Sequence, residues 1–176
     1  MATILSAQCT DARVNIVTEA LFKKYKSVKD YAGADIKQFE QEIRSTGFFR
    51  NKAKNIINAS KMILRDYGGK VPNTMEEILK LPGVARKTAN IVLSNAYGIV
   101  EGIAVDTHVI RLTRLLGLTR NENPEKMEQD LMKIVPRRDW QDFSYLIQAH
   151  GRKICIARRP NHAMCVLKDI CPSAKI

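Results

Sequence analysis

Apolar residues recur along this chain at spacings of three and four, the period of helices with one buried face. Residues 4–8 read as the end of a helix, and residues 12–25 carry Val14, Val17, Leu21 and Phe22 on one face. Asp35 is placed to cap a short helix through Ile43. Residues 52–67 bring Ile56, Ile63, Leu64 and Tyr67 into register before Gly68-Gly69 ends the run. Thr74 and Glu77 form a capping-box pattern that opens a helix over 75–80. Further helices are predicted over 85–97 and over 107–116, where Gly117 stops the run. Asn123-Pro124, a cap followed by a first-position proline, opens another through Val135. The last runs over 139–153, with Trp140, Phe143, Leu146 and Ile147 inward. Beyond Cys155 the pattern turns loop-like, and no strand alternation stands out. An all-α fold is expected, with the apolar stripes as core.

Composition narrows the partners. A chain of 176 residues, 45% hydrophobic, can bury one good core or two small ones. A net charge of +11 and a pI near 9.7 point to a polyanion, although a solvated lysine face gives the same figure. No run approaches the ~18 apolar residues of a membrane span, and residues 1–5 are too short for a signal peptide. A soluble, intracellular protein is expected. Its four cysteines then suggest metal or catalysis before disulfides.

Two segments carry candidate chemistry. The first is Leu81-Pro82-Gly83-Val84-Ala85-Arg86-Lys87-Thr88-Ala89-Asn90, a tight turn running into a helix. Gly83 permits positive φ, and the amides at the start of the next helix can hold a phosphate with help from the helix dipole. The second is Val105-Asp106-Thr107-His108, its aspartate nineteen residues beyond Lys87. Alone, Lys87 reads as a solvated helix lysine or a phosphate contact, and Asp106 as an N-cap. Together they suit amine catalysis. An ordinary lysine titrates near about 10.4 and is almost wholly protonated at neutral pH, so a nucleophilic one needs its ammonium destabilised. A helix N-terminus, Arg86 and a dry pocket would act in that direction.

From residue 4 to residue 172 the chain resembles the helix-hairpin-helix DNA glycosylases, the endonuclease III branch above all. The resemblance implies a helical barrel domain carrying the hairpin over residues 1–98. It implies a smaller helical domain over residues 99–176 that ends in a metal-cluster loop, with duplex DNA bound between the two. It places Lys87 as nucleophile and Asp106 as its assistant. A lysine at this position implies a bifunctional enzyme, a glycosylase with AP lyase activity, acting on oxidised or ring-saturated pyrimidines. Leu81, Gly83 and Ala85 would hold phosphate and a monovalent cation in the turn; Ala85 stands where the family often has a second glycine. Gln8, in Ser6-Ala7-Gln8-Cys9-Thr10-Asp11, matches the glutamine that fills the space of a flipped base. Phe48, in Thr46-Gly47-Phe48-Phe49-Arg50-Asn51-Lys52-Ala53, matches the wedge into the opposite strand, where leucine is frequent.

The C-terminal series is Cys155, six residues, His162, two residues, Cys165, five residues, Cys171. The family holds a [4Fe–4S] cluster there on four cysteines, so this chain offers histidine in the second place. Zinc, or no metal, are the alternatives. Arg158 and Arg159, in the loop between the first two ligands, would touch phosphates. Cys9 reads as a buried thiol, and His108 and His150 as hydrogen-bonded structural residues. The family's further N-terminal helix has no counterpart here, so a shortened, less stable chain is expected. A monomer acting in the cytoplasm at the nucleoid completes the expectation. A hairpin-only DNA-binding module, a metal-centred redox sensor and a monofunctional glycosylase are the competing functions.

Overall fold

The computed structural model describes residues 1–174, and every regular element among them is helical. The chain divides into two compact units, Met1–Tyr97 and Gly98–Ile176.

The N-terminal unit holds seven α-helices: α1 (Ala2–Leu5), α2 (Asp11–Lys24), α3 (Val28–Ala32), α4 (Ile36–Glu42), α5 (Phe49–Asp66), α6 (Met75–Ile78) and α7 (Arg86–Tyr97). Short polar side chains start most of them. Thr10 caps α2, Asp35 caps α4 and Thr74 caps α6. Ser27 and Asp30 form a reciprocal capping box on α3, the one α-helix that periodicity does not predict. Five residues are too few to show a stripe, but the polar pair three apart was a legible signal. The long α5 lies at the centre, with α3 and α4 against it. Leu5, Phe39, Ile43, Ala53 and Ile56 are fully buried. Tyr25, Tyr31 and Phe39 pack as an aromatic trio, the tyrosines stacked at 4.9 Å and Phe39 edge-on to both.

The C-terminal unit holds α8 (Thr107–Leu115), α9 (Pro124–Ile134) and α10 (Trp140–Lys153). Ile103, Val109, Leu112, Met127, Leu131 and Trp140 form its core, and the Trp140 indole donates to the Val135 carbonyl at 2.9 Å. α8 and α10 touch at Gly151, where a Cβ would come 2.7 Å from His108 Nδ1. Only glycine allows that approach.

Some stripe assignments need correction. Phe22 is 48% exposed and Leu146 69%, whereas their neighbours Leu21 and Ile147 are buried. Consecutive helical residues diverge by about 100°, so one of two adjacent apolar residues falls at the stripe's edge. Leu64, beside buried Ile63, departs in the same way.

Candidate functional site

Three segments of the N-terminal unit meet at one place. Ala7 and Gln8 follow α1, Phe48 precedes α5, and Gly83 forms the tip of the turn between α6 and α7. With Asn51, Lys52 and Asn55 of α5 they line a cavity of about 240 Å³. Gln8 (φ 52°) and Phe48 (φ 47°) are the two non-glycine residues with positive φ among those described. Left-handed backbone disfavours L side chains and persists where its surroundings impose it. Both side chains are exposed, Phe48 by 67%, so neither is held in place by burial of its own.

Beneath them lies Lys52, which is 5% exposed. Its ammonium donates to the Leu5 carbonyl at 2.8 Å and to the Thr46 carbonyl at 2.7 Å. Burial pushes the lysine's pKa below its ordinary value, and nearby Cys9 opposes the shift. Sequence reasoning missed Lys52. The available signal was its register, four residues before Ile56 on the buried stripe of α5.

The hairpin turn is set by Gly83. Its φ is 77°, and a Cβ there would stand 2.8 Å from Asn55 Cβ, so both backbone and space require glycine. The Val84 amide closes the turn onto the Leu81 carbonyl at 3.1 Å. The Leu81 side chain is 5% exposed and belongs to the core, so the backbone is the part of this residue that faces a ligand in the turn. Ala85 is exposed and accepts the first bond of α7 from Ala89, so the larger residue is accommodated. The first-turn amides of α7 have no intrahelical partner, as at any helix start, and can serve an anion. Lys87 is the second residue of α7 and is exposed. The protein alone therefore does not supply the dry surroundings expected for it.

Asp106 belongs to the C-terminal unit, where it caps α8. Its Oδ1 accepts from the His108 and Val109 amides at 2.9 and 2.8 Å. Both bonds fall on one carboxylate oxygen, which orients the group while Oδ2 takes no protein hydrogen bond among the described residues. The cap and a chemical role are thus compatible in one side chain.

Cys155, His162, Cys165 and Cys171 line a single cavity of about 280 Å³. Arg111 reaches it from α8, donating to the Cys155 carbonyl and, at 3.5 Å, to Cys155 Sγ. Cys165 Sγ is 3.5 Å from His150 Nε2, and Cys171 Sγ is 3.7 Å from the Leu115 carbonyl. Among the described residues no three His, Cys, Asp or Glu side chains converge as one metal ion requires. A zinc ion needs its donors about 2.0–2.3 Å from one point. A four-iron cluster spreads its ligands around a larger body, and a cavity ringed by three thiols and an imidazole suits that group better. Arg158 and Arg159 are exposed on the turn after Cys155.

Comparison with known proteins agrees with this geometry. Residues 1–137 match the model of the HhH-GPD superfamily base excision DNA repair protein. Endonuclease III of Synechocystis is 55% identical over 175 residues, covering 99% of this chain and 80% of the relative. Endonuclease III of Bacillus subtilis is 49% identical, covering 97% of this chain and 78% of the relative. A solved structure of a trapped covalent endonuclease III–DNA intermediate superimposes with a TM-score of 0.93 at 44% identity, over 98% of this chain and 81% of that one. A thermostable thymine-DNA glycosylase shares the fold, with a TM-score of 0.88 at 24% identity. The hairpin, the lysine behind it and the capped aspartate thus stand in a chain that belongs to the HhH-GPD superfamily of base-excision DNA repair proteins.

Proposed function

We propose that this DNA glycosylase of base-excision repair removes oxidised or ring-saturated pyrimidines from duplex DNA and then cuts the strand through Lys87. The observation that carries the reading is the place of Lys87: exposed, on the first turn of α7, directly behind the hairpin amides that would fix a phosphate. Bound DNA would supply the desolvation that the protein alone lacks. The neutral amine adds to C1′ of the flipped nucleotide while the glycosidic C–N bond breaks, and the base leaves as its anion to be protonated. Loss of a proton from nitrogen and opening of the sugar give an imine. Abstraction of a C2′ proton then expels the 3′ phosphate by β-elimination. Asp106, oriented by two amides through Oδ1, offers Oδ2 to receive the lysine proton or to stabilise positive charge on the sugar.

Gln8 fills the space of the extruded base and Phe48 wedges the opposite strand. Their exposure and their shared cavity with Gly83 support both roles. Cys155, His162, Cys165 and Cys171 would hold a [4Fe–4S] cluster, whose contribution when bound is to fix the turn bearing Arg158 and Arg159 against the phosphates. Oxygen donors of the hairpin backbone would take a monovalent cation. No described helix is long and apolar enough to cross a membrane. A DNA substrate places the enzyme with the chromosome.

Borohydride trapping on a duplex containing one abasic site tests the chemistry. Wild type is expected to give a covalent adduct and Lys87→Gln none. On a second duplex carrying a ring-saturated pyrimidine, base release by a wild type that gives no adduct would establish a monofunctional glycosylase instead, and duplex binding without either would leave a binding module.

A further inference from the structure

Gln8 and Phe48 lie forty residues apart in sequence, on two turns that share no helix. What joins the turns is the buried ammonium of Lys52, which donates to Leu5, the last residue of α1, and to Thr46, two residues before Phe48. A lysine is seldom buried without a carboxylate partner, because desolvating its charge is costly. Here two carbonyls that would otherwise be buried and unsatisfied take its protons. One side chain therefore fixes both backbone segments leading into the left-handed residues. We propose that Lys52 is a positioning residue for base extrusion, holding the Gln8 and Phe48 turns at a fixed separation so that both side chains enter the duplex together.

The proposal rests on the glycosylase reading and on the intercalating roles of Gln8 and Phe48. Lys52 is buried and its ammonium is bonded to two backbone carbonyls, so its effect should run through the opening of the base pair. Its loss would then weigh on a lesion that has to be extruded from a firm stack and little on one already loosened. A merely structural role would affect both substrates alike.

Lys52→Met keeps the stem and removes the donors. Single-turnover excision of a ring-saturated pyrimidine is measured in a fully paired duplex and in one whose flanking pairs are mismatched. In the paired duplex the variant is expected to be about ten- to hundredfold slower than wild type, since extrusion costs a few kcal/mol there. With mismatched flanks it should come within about threefold. Unchanged rates, or equal slowing on both duplexes, would overturn the proposal. If Lys52→Met does not fold, Lys52→Arg, which keeps two N–H donors, should retain the paired-duplex rate; tenfold slowing that mismatched flanks do not relieve would overturn it. If neither variant folds, the Lys52 Nζ protons of wild type decide: protection from solvent exchange in the DNA complex supports the link, and free exchange overturns it. A wild type that releases no base from either duplex would sink the glycosylase reading itself, a result distinct from an active wild type matched by Lys52→Met.

Discussion

The candidate DNA-contacting turns of the N-terminal unit and the cysteine segment after α10 are held by opposite means. Around Gln8, Phe48 and Gly83 the protein supplies its own frame: a buried lysine bonded to two carbonyls, and a glycine in contact with Asn55. Around Cys155, Cys165 and Cys171 the thiols ring a cavity that Leu167 also lines, while other apolar residues of the segment face outward, Val166 by 86% and Ile170 by 76%. Among the described residues its one regular element is a single 3₁₀ turn, His162–Met164. The first region has a core beneath it and the second has a hollow. A frame built from packing keeps its shape in any redox state, whereas one that relied on a [4Fe–4S] cluster, as proposed for the cysteine segment, would be only as durable as its ligands.

The largest effect expected separates chemistry from frame. Lys87 is exposed and its replacement leaves the packing untouched, so Lys87→Gln should melt like wild type, bind abasic duplex and give no trapped adduct. A destabilised variant would show that the lysine belongs to the frame after all. Asp106→Asn comes next. The amide oxygen can still accept both α8 amides, so the fold should hold while single-turnover excision falls by about 10²–10⁴. Equal activity in the two proteins would reduce Asp106 to a helix cap.

The contrast itself is tested by iron. Anaerobic reconstitution should load iron and sulfide, and His162→Cys should retain them longer in air, because a fourth thiolate replaces the imidazole. Chelation should then open the chain after Cys155 to proteolysis and leave Met1–Tyr97 resistant. Cleavage spread evenly over both units would erase the distinction. Gly83→Ala probes the other side. With φ at 77° and a 2.8 Å approach to Asn55, the added methyl should destabilise the protein by about 1–3 kcal/mol in a denaturant titration and weaken duplex binding with it.

The all-helical class was legible because helical period and caps agree along most of the chain, as at Asn123-Pro124 before α9. What the pattern could not resolve was depth. It cannot tell the centre of a stripe from its edge, which misplaced Phe22 and Leu146. The hairpin, the lysine and the cysteine spacing are local in sequence and could be read as patterns. Lys52 offered only its register on the buried stripe of α5; its role could not be read, because its partner Leu5 is 47 residues away and the carbonyls that receive the charge are known only from the fold.

The smallest effect expected lies in the C-terminal unit's own frame and sharpens the contrast from that side. On α9, Asp130 Oδ2 accepts from the Thr119 hydroxyl at 2.7 Å and the Asn121 side-chain amide at 2.6 Å, both in the connection from α8. These bonds, Thr119 first, hold its carboxyl below the usual carboxylate range, with a lesser part from Lys133. Because the folded pKa is depressed, the contribution to stability is complete above the ordinary value near 3.8 and is lost as pH falls through the lower folded value. Asp130→Asn cannot titrate, so its stability deficit relative to wild type should shrink on acidification from about pH 6 to about pH 2. Salt at ~0.5 M should barely alter that deficit, since it screens the exposed Lys133 pair at 3.9 Å and leaves the two neutral donors unaffected. A deficit that vanished in salt would transfer the effect from hydrogen bonds to the ion pair. One that persisted unchanged at low pH would show that the folded protein never distinguishes the carboxylate from its acid. Either way the result bears on the C-terminal unit without reference to iron, and so separates the stability of its helices from that of the cysteine segment they carry.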